Sequence, residues 1–162
     1  GLGDVYKRQT IEIAAYANKL AGIEDMELFE RHGAPVEEKI FADVEKAAQK
    51  ITDVLKLREE EYETAAVVLR TEKEAERMWL ILKEFLEEKG FDVKERLSHL
   101  DRNSTSFKKG LTLTTFYLAK GLEFDQVFAV FPQKDQSPLT RQARYIAATR
   151  ALHELHMYEV EK

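Results

Sequence analysis

The chain has 162 residues, 44% apolar and 34% charged, enough for one domain with a real core and too few for two. Its formal net charge of −5 argues against a self-sufficient nucleic-acid binder, which carries a basic excess. The absence of cysteine excludes a disulfide framework and thiolate chemistry and fits a cytoplasmic protein, and no apolar run reaches the ~20 residues of a membrane span.

The opening residues stand apart from the rest of the chain. Gly3 to Gln9, GDVYKRQ, resembles a reading-frame translation of the end sequence used in transposase-based sequencing libraries. Residues 1–9 are therefore read as an adapter artefact, with a basic N-terminal arm as the other reading, and are left out of fold reasoning. On the adapter reading the chain is a piece of a longer gene, with domains upstream.

From Thr10, TIEIAAYANKLAG places Ile13, Tyr16, Ala17 and Leu20 on a helical stripe that Gly22 closes. MELFERHGAP reads as a short strand ending in a His-Gly turn. The run from Val36 to Arg58 has apolar residues at Ile40, Phe41, Val44, Ala47, Ala48, Ile51, Val54 and Leu55, which predicts one helix with Pro35 in its first turn. TAAVVLR reads as a buried strand. Thr71 and Glu74 form a capping box for a helix whose face is Ala75, Met78, Trp79, Leu82, Phe85 and Leu86, stopped by Gly90. FDVKERLSHL is expected to be a strand, DRNSTSFKKG a polar loop, and LTLTTFYL and QVFAVF two more strands around a Lys-Gly turn. Ser137 and Pro138 start a last helix, and ELHMYEV alternates as a last strand. Strands separated by helices predict an α/β domain with a mostly parallel sheet covered on both faces.

Complete catalytic motifs are missing. The sequence holds no Walker phosphate loop and no Gly-x-Gly-x-x-Gly. His153 and His156 are three apart and would point to opposite faces of a strand, so no metal site is expected. Arg150 falls on a stripe with Leu139, Ala143 and Ile146, so it must either meet a buried acid or emerge into a cleft. Arg144 lies off that stripe and is expected to be a surface charge.

Two stretches in fixed order, KGLEFDQV and YIAATRALHEL, resemble motifs V and VI of UvrD/Rep-type superfamily 1 helicases. The wider forms TTFYLAKGLEFD and TRALHEL are most similar to the HelD-like branch, and TIEIAAYAN and VVLRTEKEAE resemble neighbouring segments of the family. The resemblance spans nearly all of residues 10–162 and implies the second RecA-like domain of an ATP-dependent DNA helicase. That domain closes over ATP, with Mg²⁺, held by a first RecA-like domain of the same full-length chain, so the fragment alone is expected to be inactive.

By the same resemblance, Gly121 would let the backbone approach the nucleotide closely, Glu123 would accept a hydrogen bond from its sugar, and Arg150 would be the arginine finger. The Lys-Gly-Leu-Glu-Phe turn is expected at the carboxyl end of a strand, with Leu122 and Phe124 anchoring it. Thr115 and Tyr117 would face single-stranded DNA, although many relatives have histidine where this chain has Tyr117. Arg70 and Thr71 match a segment that touches the strand's backbone; equally, Thr71 caps a helix and Arg70 ends a strand. Lys120 either contacts phosphate or solvates the turn. The arginine of motif IV would fall within the adapter-like residues. Two alternative readings are a HelD-like ATPase that remodels RNA polymerase and a RecA-like interaction module without catalysis.

Overall fold

Six parallel strands in the order β1-β6-β5-β2-β4-β3 form the frame of this computed structural model, which describes residues 9–22, 32–101 and 109–162. The strands are β1 (Glu37–Phe41), β2 (Thr64–Leu69), β3 (Leu97–His99), β4 (Gly110–Thr115), β5 (Phe124–Pro132) and β6 (Ala151–Val160). Between them run helices α1 (Ile11–Ala21), α2 (Val44–Leu57), α3 (Glu72–Glu88), the single turn α4 (Val93–Arg96) and α5 (Pro138–Thr149). Parallel strands need crossovers, and helices on both faces then bury both sides of the central strands. Accordingly Ala65 to Leu69 of β2 are all buried, and α2 and α3 pack on one face while α1 and α5 pack on the other. The expected α/β architecture is present.

Local signals set most boundaries. Thr10, Asp43, Thr71 and Ser137 each accept a hydrogen bond from a first-turn N–H, satisfying donors that a helix start leaves free. Gly22 takes the left-handed φ of 74° that ends α1.

Two expected elements differ. The helix foreseen from Val36 begins only at Val44, because Glu37–Phe41 pairs with β6 as an edge strand in the register Glu37↔His156 to Phe41↔Val160. Ile40 is exposed there, so the apparent helical stripe was an accident of an edge strand's sparse burial. The strand foreseen over FDVKERLSHL is instead the turn α4 followed by the three residues of β3. Most of MELFERHGAP and of DRNSTSFKKG lies outside the described residues, as does the adapter-like segment apart from Gln9. Gln9 is buried, and its amide donates to the carbonyls of Ala148 at 3.1 Å and Ala151 at 2.8 Å.

Arg144 corrects the expectation of a surface charge. It is 9% exposed, donates to the carbonyls of Asp135 at 3.1 Å and Pro132 at 3.3 Å, and lies 3.6 Å from Glu159. Its guanidinium also covers the ring of Phe131. The inward face of α5 runs through Thr140, Ala143, Arg144 and Ala147, whereas Leu139, the first residue of the expected stripe, is exposed. Arg144→Ala should therefore cost about 2 kcal/mol, the scale of hydrogen bonds from a charged donor, measured by urea unfolding. A cost below ~0.5 kcal/mol would return Arg144 to the surface class.

Candidate nucleotide and nucleic-acid sites

The turn between β4 and β5 occupies both ends of the sheet. Both strands are parallel to β2 and flank it, so residues 116–123 must carry the chain from the carboxyl end of β4 back to the amino end of β5. Phe116 and Phe124 are buried in the core beneath α1 and α5, and Leu122 packs against them, so the crossover is anchored on that face. Glu123 is thus delivered to the amino end of β5, not to the carboxyl end of a strand. The correction follows from topology: a connection between parallel strands starts and finishes at opposite edges.

At that amino edge, Phe124 pairs with Ala151 and its N–H donates to the carbonyl of Arg150 at 2.9 Å, which sets Glu123 and Arg150 side by side as preceding residues. Arg150 follows the last turn of α5 and is half-buried. Its Nη2 donates to Thr149 Oγ1 at 3.2 Å, its buried Nε has no hydrogen-bond partner, and no carboxylate among the described residues forms an ion pair with it. Burial pushes its pKa down, and the charge of Glu123 only partly restores it. Gly121 adopts φ 82°, and a Cβ there would meet no atom within 4 Å. The turn needs glycine for its left-handed backbone.

The other candidates gather at the carboxyl edge. Arg70, Thr71, Glu72, Thr115, Tyr117 and Leu118 line an open groove of about 490 Å³. Tyr117 is exposed, just past the end of β4, with Lys120 Nζ 5.0 Å from its ring centroid. Thr115 is buried, and its Oγ1 accepts from the N–H of Leu118 at 3.3 Å, holding the start of the crossover. Thr71 accepts from Glu74 N–H at 3.2 Å as a helix cap. Arg70 is held by two acids: Nη1 lies 2.6 Å from Asp135 and Nη2 3.0 Å from Glu74. The sheet thus separates the site residues into two groups, Gly121, Glu123 and Arg150 at one edge and Arg70, Thr71, Thr115 and Tyr117 at the other. The six residues of β4 put the two edges roughly 20 Å apart.

Two functional-looking clusters escaped the sequence. Asp135, in the loop after β5, accepts from Arg70, from Thr140 Oγ1 at 2.6 Å and from Ser137 N–H at 3.1 Å, and these donors hold its pKa far below the ordinary carboxylate range. The spacing Asp-x-Ser-Pro-x-Thr was the available signal, since it marks a loop that fastens onto a helix start. The second cluster joins Glu37, His156, Tyr158, Glu154 and Gln126 across β1, β6 and β5. No local pattern announces it, because Glu37 and His156 are 119 residues apart.

Residues 110–158 match the UvrD-like helicase C-terminal domain. The match begins with β4 and includes the crossover, Arg150 and most of β6. Among solved structures, the chain is similar to the C-terminal domain of a possible DNA helicase from Lactobacillus plantarum WCFS1, at 25% identity and a TM-score of 0.72. That similarity covers 94% of this chain and 86% of the other. No curated protein matches. The sheet and its helices are the RecA-like α/β arrangement of that neighbour, and the UvrD-like match lies within it.

Proposed function

We propose that this chain is the second RecA-like domain of an ATP-dependent superfamily 1 DNA helicase or translocase, completing an ATP site in trans to a first RecA-like domain. The observation that carries the reading is Arg150: a half-buried cation whose desolvation the charge of neighbouring Glu123 offsets only in part. Desolvating a guanidinium with only partial compensation costs energy that a structural role would have to repay. A polyphosphate on a facing domain supplies the missing anion. The residues fit such a ligand: Arg150 would meet phosphate charge, Glu123 would accept from a sugar hydroxyl, and Gly121 would shape the turn between them. ATP would supply the phosphoryl group to be transferred to water, and its Mg²⁺ would be held by the first domain.

In this reading the carboxyl-edge groove takes single-stranded DNA, contacted by Tyr117 and its neighbours. The stretches TTFYLAKGLEFD and TRALHEL support the HelD-like branch within it. The pure 162-residue chain should not hydrolyse ATP at a measurable rate, since its sequence has no phosphate loop or loop lysine. Robust turnover by the pure chain, unchanged in Arg150→Ala, would sink the two-domain site.

A further inference from the structure

Where β2, β5 and β6 end, the sheet leaves an apolar hollow on the face covered by α2 and α3. Leu69, Val130 and Val160, near the carboxyl ends of these strands, form its floor together with Met78 of α3. Its volume is about 240 Å³, and it shares no lining residue with the groove past β4. That size is below the roughly 300–1,000 Å³ of sites that enclose a small molecule. It suits one large apolar side chain inserted from outside.

The rim is charged, with a sign opposite to that of the chain. Arg77, Lys134 and Lys162 stand exposed around the hollow, and none forms an ion pair among the described residues. Of the two acids there, Glu74 is engaged by Arg70 at 3.0 Å, which leaves Glu161. The result is a local positive excess on a chain whose net charge is −5. An apolar centre inside a polar rim is the anatomy of a protein interface, and the sign of the rim selects the partner.

We infer that this hollow docks an acidic peptide segment of a partner protein, with one large apolar side chain filling it and carboxylates meeting Arg77, Lys134 and Lys162. The anchor supplies most of the affinity, because side chains that fill desolvated pockets dominate interface energies. The rim cations exclude basic segments and speed the approach of acidic ones. Docking there involves neither the Arg150 edge nor the groove past β4, and it depends on neither ATP nor nucleic acid.

The test titrates the chain with a short fluorescent peptide of glutamates and aspartates around one tryptophan, followed by anisotropy and by methyl NMR. The Kd should be about 100 μM or tighter, with shifts at the methyls of Leu69, Met78, Val130 and Val160. Alanine in place of the peptide's tryptophan, or lysines in place of its acids, should each weaken binding about tenfold or more. The double variant Arg77→Glu, Lys134→Glu should weaken it about tenfold with an unchanged melting temperature, because both side chains are exposed. Equal binding of the acidic and lysine peptides would overturn the acidic partner. Failure of the acidic peptide to shift those methyls at millimolar concentration would overturn the docking site. Shifts produced by decanoate or a thymidine oligonucleotide but not by the peptide would replace it with a site for a small amphipathic anion or for nucleic acid. Shifts that grow with chain concentration alone, with a dimer in sedimentation, would make the occupant a second copy and overturn the partner segment.

Discussion

Replacing Arg150 by alanine in the complete enzyme is expected to cut ATP turnover by about 10³-fold or more, the scale an arginine finger supplies, while ATP binding weakens far less. The same substitution in the isolated chain should change stability by less than ~1 kcal/mol. The reasoning is electrostatic. In the chain alone the guanidinium loses solvation by burial, and Glu123 returns only part of that loss, so the charge is not stabilising where it stands. Its hydrogen bond runs to Thr149, the adjacent residue, and ties no distant elements together. Removing it therefore forfeits little beyond local packing. On the proposed reading, an anion on the facing domain of the complete enzyme would meet this charge with an attraction that grows as charge develops in the transition state. Thermal melts of the chain and steady-state kinetics of the complete enzyme check the two halves separately. A fall of many degrees in melting temperature with unaltered turnover would make Arg150 a structural residue.

Where the candidate residues sit was partly legible because they lie on elements with strong local signals. Ser137 and Pro138 fix the start of α5, and the helix then carries Arg150 to the amino edge by its length alone. What sequence could not supply was the edge at which each residue lands. Thr115 and Glu123 are eight residues apart, yet a parallel crossover sends them to opposite ends of the sheet. Arg70 shows the same limit in energetic terms. Its neighbour Glu74 was visible at helical spacing, but Asp135, which takes the other half of the guanidinium, lies 65 positions away. The edge strand β1 was hidden for a different reason. Ile40 and Phe41 extend the stripe of α2 backward in register, and only Asp43, capping at Lys46 N–H, marks where the helix begins.

The largest stability effect is expected at the buried relay on β6. Glu154 is 4% exposed, and its Oε1 accepts from Gln126 Nε2 at 3.1 Å and faces His156 Nε2, while His156 Nδ1 faces Glu37 Oε1 at 2.9 Å. Tyr158 donates its hydroxyl to the same Glu37 oxygen. Arg58 Nε lies 3.2 Å from Glu154 Oε2, an ion contact outside hydrogen-bonding geometry. Phe128 stacks on the imidazole at 4.7 Å, so the relay is embedded in the core beside α2 and α3. A carboxylate oxygen thus faces each ring nitrogen. Glu154→Ala leaves the Gln126 amide and one side of His156 without acceptors in a place water does not reach. The cost should be about 3 kcal/mol, the scale for breaking a buried ionic pair, and the melting temperature should fall by roughly 6–12 °C. Burial alone would raise the pKa of both glutamates, but hydrogen bonds from His156 and Gln126 to Glu154, and from Tyr158 and His156 to Glu37, outweigh it and hold both below the ordinary range. A carboxylate with a depressed folded-state pKa contributes stability that is fully present above its unfolded value, about 4.3, and is lost as pH falls through the folded one. The gap between the chain and Glu154→Ala should therefore be complete at pH 7, begin to narrow only below about pH 4.3, and close under stronger acid. Urea unfolding across that range measures it. A gap under ~0.5 kcal/mol at pH 7, or one that closes before pH 5, would show that the relay does not hold β1, β5 and β6 together.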